Sequence, residues 1–319
     1  MKQIAVLIST YNGEKYIEDQ INSILNQRFD SERYNLKVIV RDDGSTDNTN
    51  MVLQKIMIEH KNVKKLPFEK NLGFAKSFMT LLSEVESDYY FFSDQDDIWE
   101  PTKIDDFLTV MIDKEKSESI CGVFSDAWIA DQFAVSTGIK LLEERKRNIL
   151  DGQLTFIQQI FETYVAGASL FINNNARNKV LEFDYDRFFS HEAHDHFVAI
   201  IISKYGTLYF LDKPTLRYRQ TGNNVYGARD SKKKSVFKRI ITLYSRVKNV
   251  QLLMKSGALI ISNLPAERDL SETMLNISRG KASVNTRINF FWKYRMYVSV
   301  RYPRILATCY TLFTFRGVN

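Results

Sequence analysis

Five consecutive apolar residues, IAVLI at 4–8, are followed by Tyr16, Ile17, Ile21, Ile24 and Leu25, spaced as one face of a helix. A short unbroken apolar run marks a strand buried on both faces, and recurrence at three and four positions marks an amphipathic helix. The pattern then repeats. LKVIVR (36–41) predicts a second strand, with DDGSTDNT as a turn and a helix to about His60. VKKLPF (63–68) predicts a third, before a helix with Phe74, Phe78, Leu81, Leu82 and Val85 on one face. YYFFS (89–93) predicts a fourth, and the next helix starts near Pro101, because proline suits a first helical turn.

Strict alternation of strands and helices predicts an α/β chain built on a mostly parallel sheet with helices on both faces, whose ligands gather at the carboxyl ends of the strands. Those ends carry the unusual residues: Ser9-Thr10-Tyr11-Asn12, Asp42-Asp43-Gly44-Ser45, Asn71-Leu72-Gly73 and Asp94-Gln95-Asp96-Asp97. Further strands are expected at CGVFSDAWIAD (121–131), GASLFIN (167–173) and LYFLD (208–212). Between them lie the charged linker LLEERKRN, a helix around Leu154–Phe161, and HEAHDHFVAIIISKYG (191–206), read as a loop entering a buried helix. From Ser231 the pattern becomes helical and basic, so the expected division is a domain of residues 1–230 and a C-terminal region of residues 231–319.

Composition changes this picture little. With 44% hydrophobic and 26% charged residues, the 319-residue chain reads as folded and globular. Cys121 and Cys309 form no CxxC pair, which supports neither a disulfide framework nor a thiolate zinc site. The apolar run at the start is too short for a signal peptide, and ILATCYTLFTF (305–315) is far below the roughly 20 residues that cross a bilayer. A cytoplasmic location follows as the expectation. Charge is more informative: residues 231–319 hold 17 Lys and Arg against 3 Asp and Glu, whereas residues 1–230 hold 27 against 35. Basic amphipathic segments such as SKKKSVFKR, followed by Ile240, Ile241, Tyr244 and Val247, and later FFWKYRMY, suit an anionic membrane surface. A helical dimer with a solvated basic rim is the alternative. Nucleic acid is not expected, since the acidic crevice would repel it.

The candidate chemistry starts at FFSDQDDIW (91–99), where Asp94, Asp96 and Asp97 crowd behind an apolar run. Such a cluster is either a solvated turn that caps the next helix or a seat for a cation. There is no G-x-G-x-x-G after the first strand and no G-x-x-x-x-G-K-[ST], so a bound diphosphate needs another charge partner. A divalent metal, Mg2+ or Mn2+, held by Asp96 with Asp94 nearby would provide it. In VRDDGSTDNT, Asp47 is a natural helix cap, which leaves Asp42 and Asp43 free to accept from a pyrimidine N–H or a ribose hydroxyl. Tyr11 is placed to stack on the same base.

With these motifs the chain resembles glycosyltransferase family 2, the inverting GT-A enzymes: STYNGEKY, RDDGSTDNT, NLGFAKSF and SDQDD occur in the family's order and spacing, the last as its DxD motif. VAGASLFIN (165–173), HEAHDHF (191–197) and YRQTGNN (218–224) extend the likeness to about residue 225, and DQDDIW with YRQ-x-GNN is similar to bacterial polysaccharide rhamnosyltransferases. The resemblance implies a GT-A, Rossmann-like fold and an enzyme that moves a sugar, L-rhamnose from dTDP-rhamnose or another sugar from a UDP donor, to a lipid-linked oligosaccharide. It places Thr10, Tyr11, Asn12, Asp42, Asp43, Lys76, Asp94, Gln95 and Asp96 around the donor nucleotide, and Asp96 with Asp94 on the metal. Asp195 becomes the general base. Trp99, His194 and Arg219 are expected near the acceptor, with a core position for Trp99 and a structural ion pair for Arg219 as the alternatives. Where many relatives read YRQHGNN, position 221 is Thr, which leaves the metal to Asp96, water and phosphate. The zincin motif needs His at i and i+4, a spacing that His191, His194 and His196 do not have. The other function classes are a metal-dependent nucleotidyltransferase, for which STYNGEKY offers no triphosphate loop, and a non-catalytic sugar-binding scaffold.

Overall fold

The computed structural model describes residues 1–144, 149, 152–161, 163–187, 194–221, 252 and 254–294. The basic run at 231–239, the apolar positions 240–247, His191, the GNN of YRQTGNN and the apolar stretch at 305–315 lie outside the described residues.

The chain divides into two compact units. Met1–Arg145, Ile149–Leu154 and Val165–Ala228 form the first, and Lys146–Asn148, Thr155–Tyr164 and Arg229–Asn319 form the second. The first opens with β1 (Lys2–Thr10), α1 (Ile17–Leu25), β2 (Tyr34–Asp42), α2 (Thr49–Glu59), β3 (Val63–Lys65), α3 (Phe74–Glu84) and β4 (Tyr89–Ser93). These strands lie in the order β3-β2-β1-β4, all parallel, with Thr10 level with Asp42 and Ile8 level with Ser93. The helical repeat that closes each unit is what forces this geometry, since a parallel return requires a crossover.

The remaining strands make the sheet mixed. After β5 (Ile98–Trp99) and α4 (Lys103–Lys114) come β6 (Cys121–Ala130), β7 (Ser136–Lys140), α5 (Leu141–Glu144) and β8 (Gln153–Leu154). Then follow α6 (Phe156–Phe161), β9 (Leu170–Asn173), α7 (Asn174–Leu181), α8 (His194–Tyr205) and β10 (Thr207–Arg219). The sheet continues β4-β9-β6-β10-β5, with β9 antiparallel to both neighbours and β10 parallel to β6 but antiparallel to β5. A short turn, Gly167–Ser169, leads into β9.

The strands of the centre are buried on both faces. On one side Phe91 stacks on Phe171 with ring centroids 4.1 Å apart and meets Trp99 and Phe107 at 5.1 and 5.3 Å. Opening such a core by a Phe-to-Ala change costs about 3–5 kcal/mol. Cys121 starts β6 fully buried, with burial as the main cause pushing its thiol up to about 12. In the second unit, Phe161 of α6 packs on Phe290 and Tyr294 of the helix Val284–Tyr294, at 5.8 and 5.4 Å. Ser271, in the helix Arg268–Ser278, donates to the Ala258 carbonyl at 2.7 Å. Among the described residues no helix is long and apolar enough to cross a membrane.

Candidate active site

Parallel strands deliver their carboxyl ends to one rim of the first unit, and the loops there are tied to one another by side chains. At the end of β1, Thr10 Oγ1 and the Tyr11 amide both donate to Gln95 Oε1, at 2.6 and 2.9 Å, and Gln95 Nε2 returns a bond to the Tyr11 carbonyl. A Cβ on residue 13 would stand 2.5 Å from the same Gln95 oxygen, which is why the loop needs Gly13. Asn12 adopts a positive φ of 50°. Its amide donates to Ser45 Oγ and its side-chain oxygen accepts from the Thr46 amide, so the first and second loops are fastened together. Tyr11, 50% exposed, projects from this frame as a free aromatic face.

Asp42 and Asp43 are both buried at the end of β2. Asp42 Oδ1 accepts from the Ser45 amide and hydroxyl, at 2.9 and 2.6 Å. Asp43 pairs with Arg41 and accepts from the Leu72 and Gly73 amides at 2.8 and 2.7 Å, so it orders the third loop where α3 begins. Gly44, with φ of 93°, brings the backbone against the half-exposed Phe68 ring. Phe68 is a second aromatic at this rim that sequence reasoning did not single out; its position after a short strand was the available signal. Lys76, on α3, pairs with Asp186 at 3.0 Å.

The acidic loop lies between β4 and β5. Burial, together with the charges of Asp96 and Asp195, raises Asp94 to about 7. Asp96 is raised too, chiefly by burial, and Asp97 well above the ordinary carboxylate range by burial and by its two acidic neighbours. No ion pair within 4 Å neutralises Asp94 or Asp96 among the described residues. The donor set is therefore hard, crowded carboxylate oxygen, whose repulsion a dication relieves; this fits Mg2+ or Mn2+ held by Asp96 and Asp94. Among the described residues no group of three or more His, Cys, Asp or Glu converges as a full coordination sphere, so a cation here needs further oxygen ligands from elsewhere.

Asp195 sits in the first turn of α8, and its charge reaches Asp94 strongly enough to raise it. Its Oδ2 accepts from the Gly167 amide at 2.8 Å and its Oδ1 from the His196 amide at 2.7 Å, which fixes the carboxylate's direction. Thus the candidate base and one candidate cation ligand, Asp94, share an electrostatic neighbourhood, although they are separated by about a hundred positions in sequence.

Three residues expected near an acceptor are buried in the structure. Trp99 is 2% exposed and belongs to the core, paired in β5 with Leu216 of β10 and packed on Phe91. His194 is 3% exposed, stacked on Phe78 at 4.0 Å with Phe92 on another side, and burial drives its pKa down to about 3. Its ring lies so close to Gly167 that a Cβ there would approach Nε2 to 2.8 Å. Arg219 is 4% exposed; its Nε donates to the Asp96 carbonyl at 2.7 Å, its Nη1 to the Gln132 carbonyl, and its backbone amide to Asp97 Oδ1 at 3.1 Å. Each therefore shapes the site from inside. Aromatic and cationic side chains near a motif read the same in sequence whether they face in or out.

The family model described as Glycosyl transferase family 2 matches residues 5–169. The dTDP-rhamnosyl transferase RfbG of Shigella flexneri is 29% identical over 232 residues, covering 69% of this chain and 74% of RfbG. The poly(ribitol-phosphate) beta-N-acetylglucosaminyltransferase TarS of Staphylococcus aureus is 35% identical over 98 residues, which are 30% of this chain and 17% of TarS. In three dimensions, S. aureus TarS 1–349 in complex with UDP-GlcNAc superimposes with a TM-score of 0.53 at 19% identity, covering 94% of this chain and 77% of that one. That likeness is one of fold, the GT-A arrangement.

Proposed function

The chain belongs to glycosyl transferase family 2, and from that premise we propose that it is an inverting transferase of bacterial surface-polysaccharide synthesis. In this reading it moves a sugar from a nucleotide donor to a lipid-linked oligosaccharide. The donor is dTDP-rhamnose, on the strength of the likeness to RfbG. The single observation that carries the chemistry is the shared neighbourhood of Asp195 and Asp94 at the rim where Tyr11 and Asp42 also end.

Tyr11 stacks on the base, and Thr10, Asn12, Gln95, Asp42 and Asp43 form the polar frame that orients the nucleoside, with Lys76 at its edge. Asp96 and Asp94 would hold Mg2+ or Mn2+, which when bound would neutralise charge on the diphosphate leaving group. Asp195, held by the Gly167 amide, takes the proton from the acceptor hydroxyl as that oxygen attacks the anomeric carbon from the face opposite the nucleotide. Inversion at that carbon follows from a single displacement. Residues 1–230 carry the chemistry, and the basic region 231–319 meets either the membrane surface that holds the acceptor or a second copy of the chain. The enzyme then works as a peripheral protein at the inner face of the cell membrane.

A thermal-shift panel of dTDP-rhamnose, UDP-GlcNAc and GDP-mannose, each with and without Mn2+, tests the donor. A donor at 100 times its Kd stabilises the native state by about 2.7 kcal/mol. A Mn2+-dependent shift with dTDP-rhamnose alone is expected. A shift with a different donor, or the same shift in Asp96→Ala, overturns the assignment.

A further inference from the structure

We propose that Lys103 is a positioning residue for the transfer: its buried amino group braces the turn that holds Asp195. The inference rests on the reading of Asp195 as the base. Lys103 opens α4 and is 0% exposed. Its Nζ donates to the Ala168 carbonyl at 2.6 Å, and the neighbouring residue, Gly167, donates its amide to Asp195 Oδ2 at 2.8 Å. The same Nζ lies 4.2 Å from the centre of the Trp99 ring, two residues past the acidic loop; burial lowers its pKa to about 7, and the charges of Asp97 and Asp94 oppose that shift. One side chain therefore links both halves of the site.

Packing alone does not call for a lysine. Lys103, Phe107 and Met111 fall on one stripe of α4, with Ile104 and Leu108 beside it, and all five are buried. Methionine would continue that stripe with none of the desolvation that burying an ammonium entails. What lysine adds is an N–H donor on a carbonyl next to the amide that aims the base, within electrostatic reach of Asp97 and Asp94. Asp97 completes this inner side: one oxygen accepts from the Arg219 amide and the other is buried with no hydrogen-bond partner. Displacing a reacting group by about 1 Å costs on the order of 100-fold in rate, so a brace of this kind acts on turnover before it acts on binding.

The test compares Lys103→Met with Phe107→Leu, a change one turn along on the same stripe. Two readouts are taken: amide hydrogen exchange across residues 165–170, and release of free sugar from dTDP-rhamnose or UDP-GlcNAc with Mn2+. The expected result for Lys103→Met is exchange in 165–170 raised at least about tenfold over the rest of the chain, with kcat down about tenfold or more and donor KM within about twofold. Phe107→Leu leaves that segment and kcat unchanged. Uniform or unaltered exchange in Lys103→Met, a KM effect without a kcat effect, or the same outcome from Phe107→Leu overturns the proposal. If Lys103→Met yields no folded protein, Lys103→Gln is judged by the same criteria. Full kcat in Asp195→Asn would remove the base reading, while the exchange measurement still decides whether the brace exists.

Discussion

Gln95 Oε1 accepts from Thr10 Oγ1 at 2.6 Å, joining the acidic loop to the end of the first strand across 85 positions of sequence. The same oxygen takes the Tyr11 amide, so one side chain sets where the exposed Tyr11 ring stands relative to Asp94 and Asp96. Gln95→Leu removes the acceptor of both bonds at a half-buried place. The expected loss is about 1–3 kcal/mol of stability, since partners are left unpaired. Denaturant titration reads that loss, and calorimetry with dTDP or UDP plus Mn2+ should show weaker binding. Unaltered affinity would detach Gln95 from the donor frame.

Asp195→Asn keeps an acceptor oxygen for the Gly167 amide and removes the base. Turnover should fall by about 100- to 10,000-fold, the usual worth of general acid–base catalysis, while nucleotide affinity stays within a few-fold. Asp96→Ala should do the reverse in binding: nucleotide affinity no longer responds to Mn2+. Calorimetry with and without the cation separates the two variants, and a Mn2+-dependent affinity retained in Asp96→Ala would contradict its role.

His194 titrates against the fold. Burial lowers its pKa from 6.5 to about 3, its ring faces Phe78, Phe92 and Phe74, and its titratable neighbours on α8 are Asp195 and His196. Between those two values the unfolded chain binds the proton and the folded chain does not, so this residue's contribution is complete above pH 6.5 and is lost as pH falls. The raised Asp94 and Asp97 act in the opposite sense, stabilising relative to the unfolded chain as pH falls, and so the useful quantity is a difference. The stability of the wild type minus that of His194→Leu should shrink by up to about 1.4 kcal/mol per pH unit between about 6.5 and 4.5. A pH-independent difference would mean that the ring is charged or solvated.

Gly167→Ala inserts a methyl group 2.8 Å from His194 Nε2. Overpacking of this kind costs about 1–3 kcal/mol. Combined with His194→Ala, which empties the opposing space, the cost should be less than additive by about 0.5 kcal/mol or more, read from melting of the two single variants and the double variant. Strict additivity would show that the two residues do not meet.

The parallel half of the sheet was legible because each β-α unit carries both periodicities in full: β1, β2 and β4 fall within a residue or two of their apolar runs. The third run, VKKLPF, gives only Val63–Lys65 as strand, because that is where its pairing with β2 ends. The apolar pattern predicts β10 only to residue 212, since Pro214 interrupts it; the strand continues through two register shifts to Arg219. That extension matters for the site, as it brings Arg219 to the Asp96 carbonyl. β5 is two residues long, so nothing in sequence separated a core Trp99 from an exposed one. Lys103 had a faint signature, a lysine in register with Phe107 and Met111 on an otherwise apolar stripe, which snorkelling lysines imitate.

The acidic run connects β4 to β5, and β5 is sewn to the far side of β10, so four residues of chain bridge a sheet in which β9 and β6 stand between β4 and β10. A loop pinned at both abutments has no hinge of its own. Its carboxylates inherit their spacing from the register of β10, and a one-residue slip of that strand would silence the crevice with every acidic side chain still in the sequence.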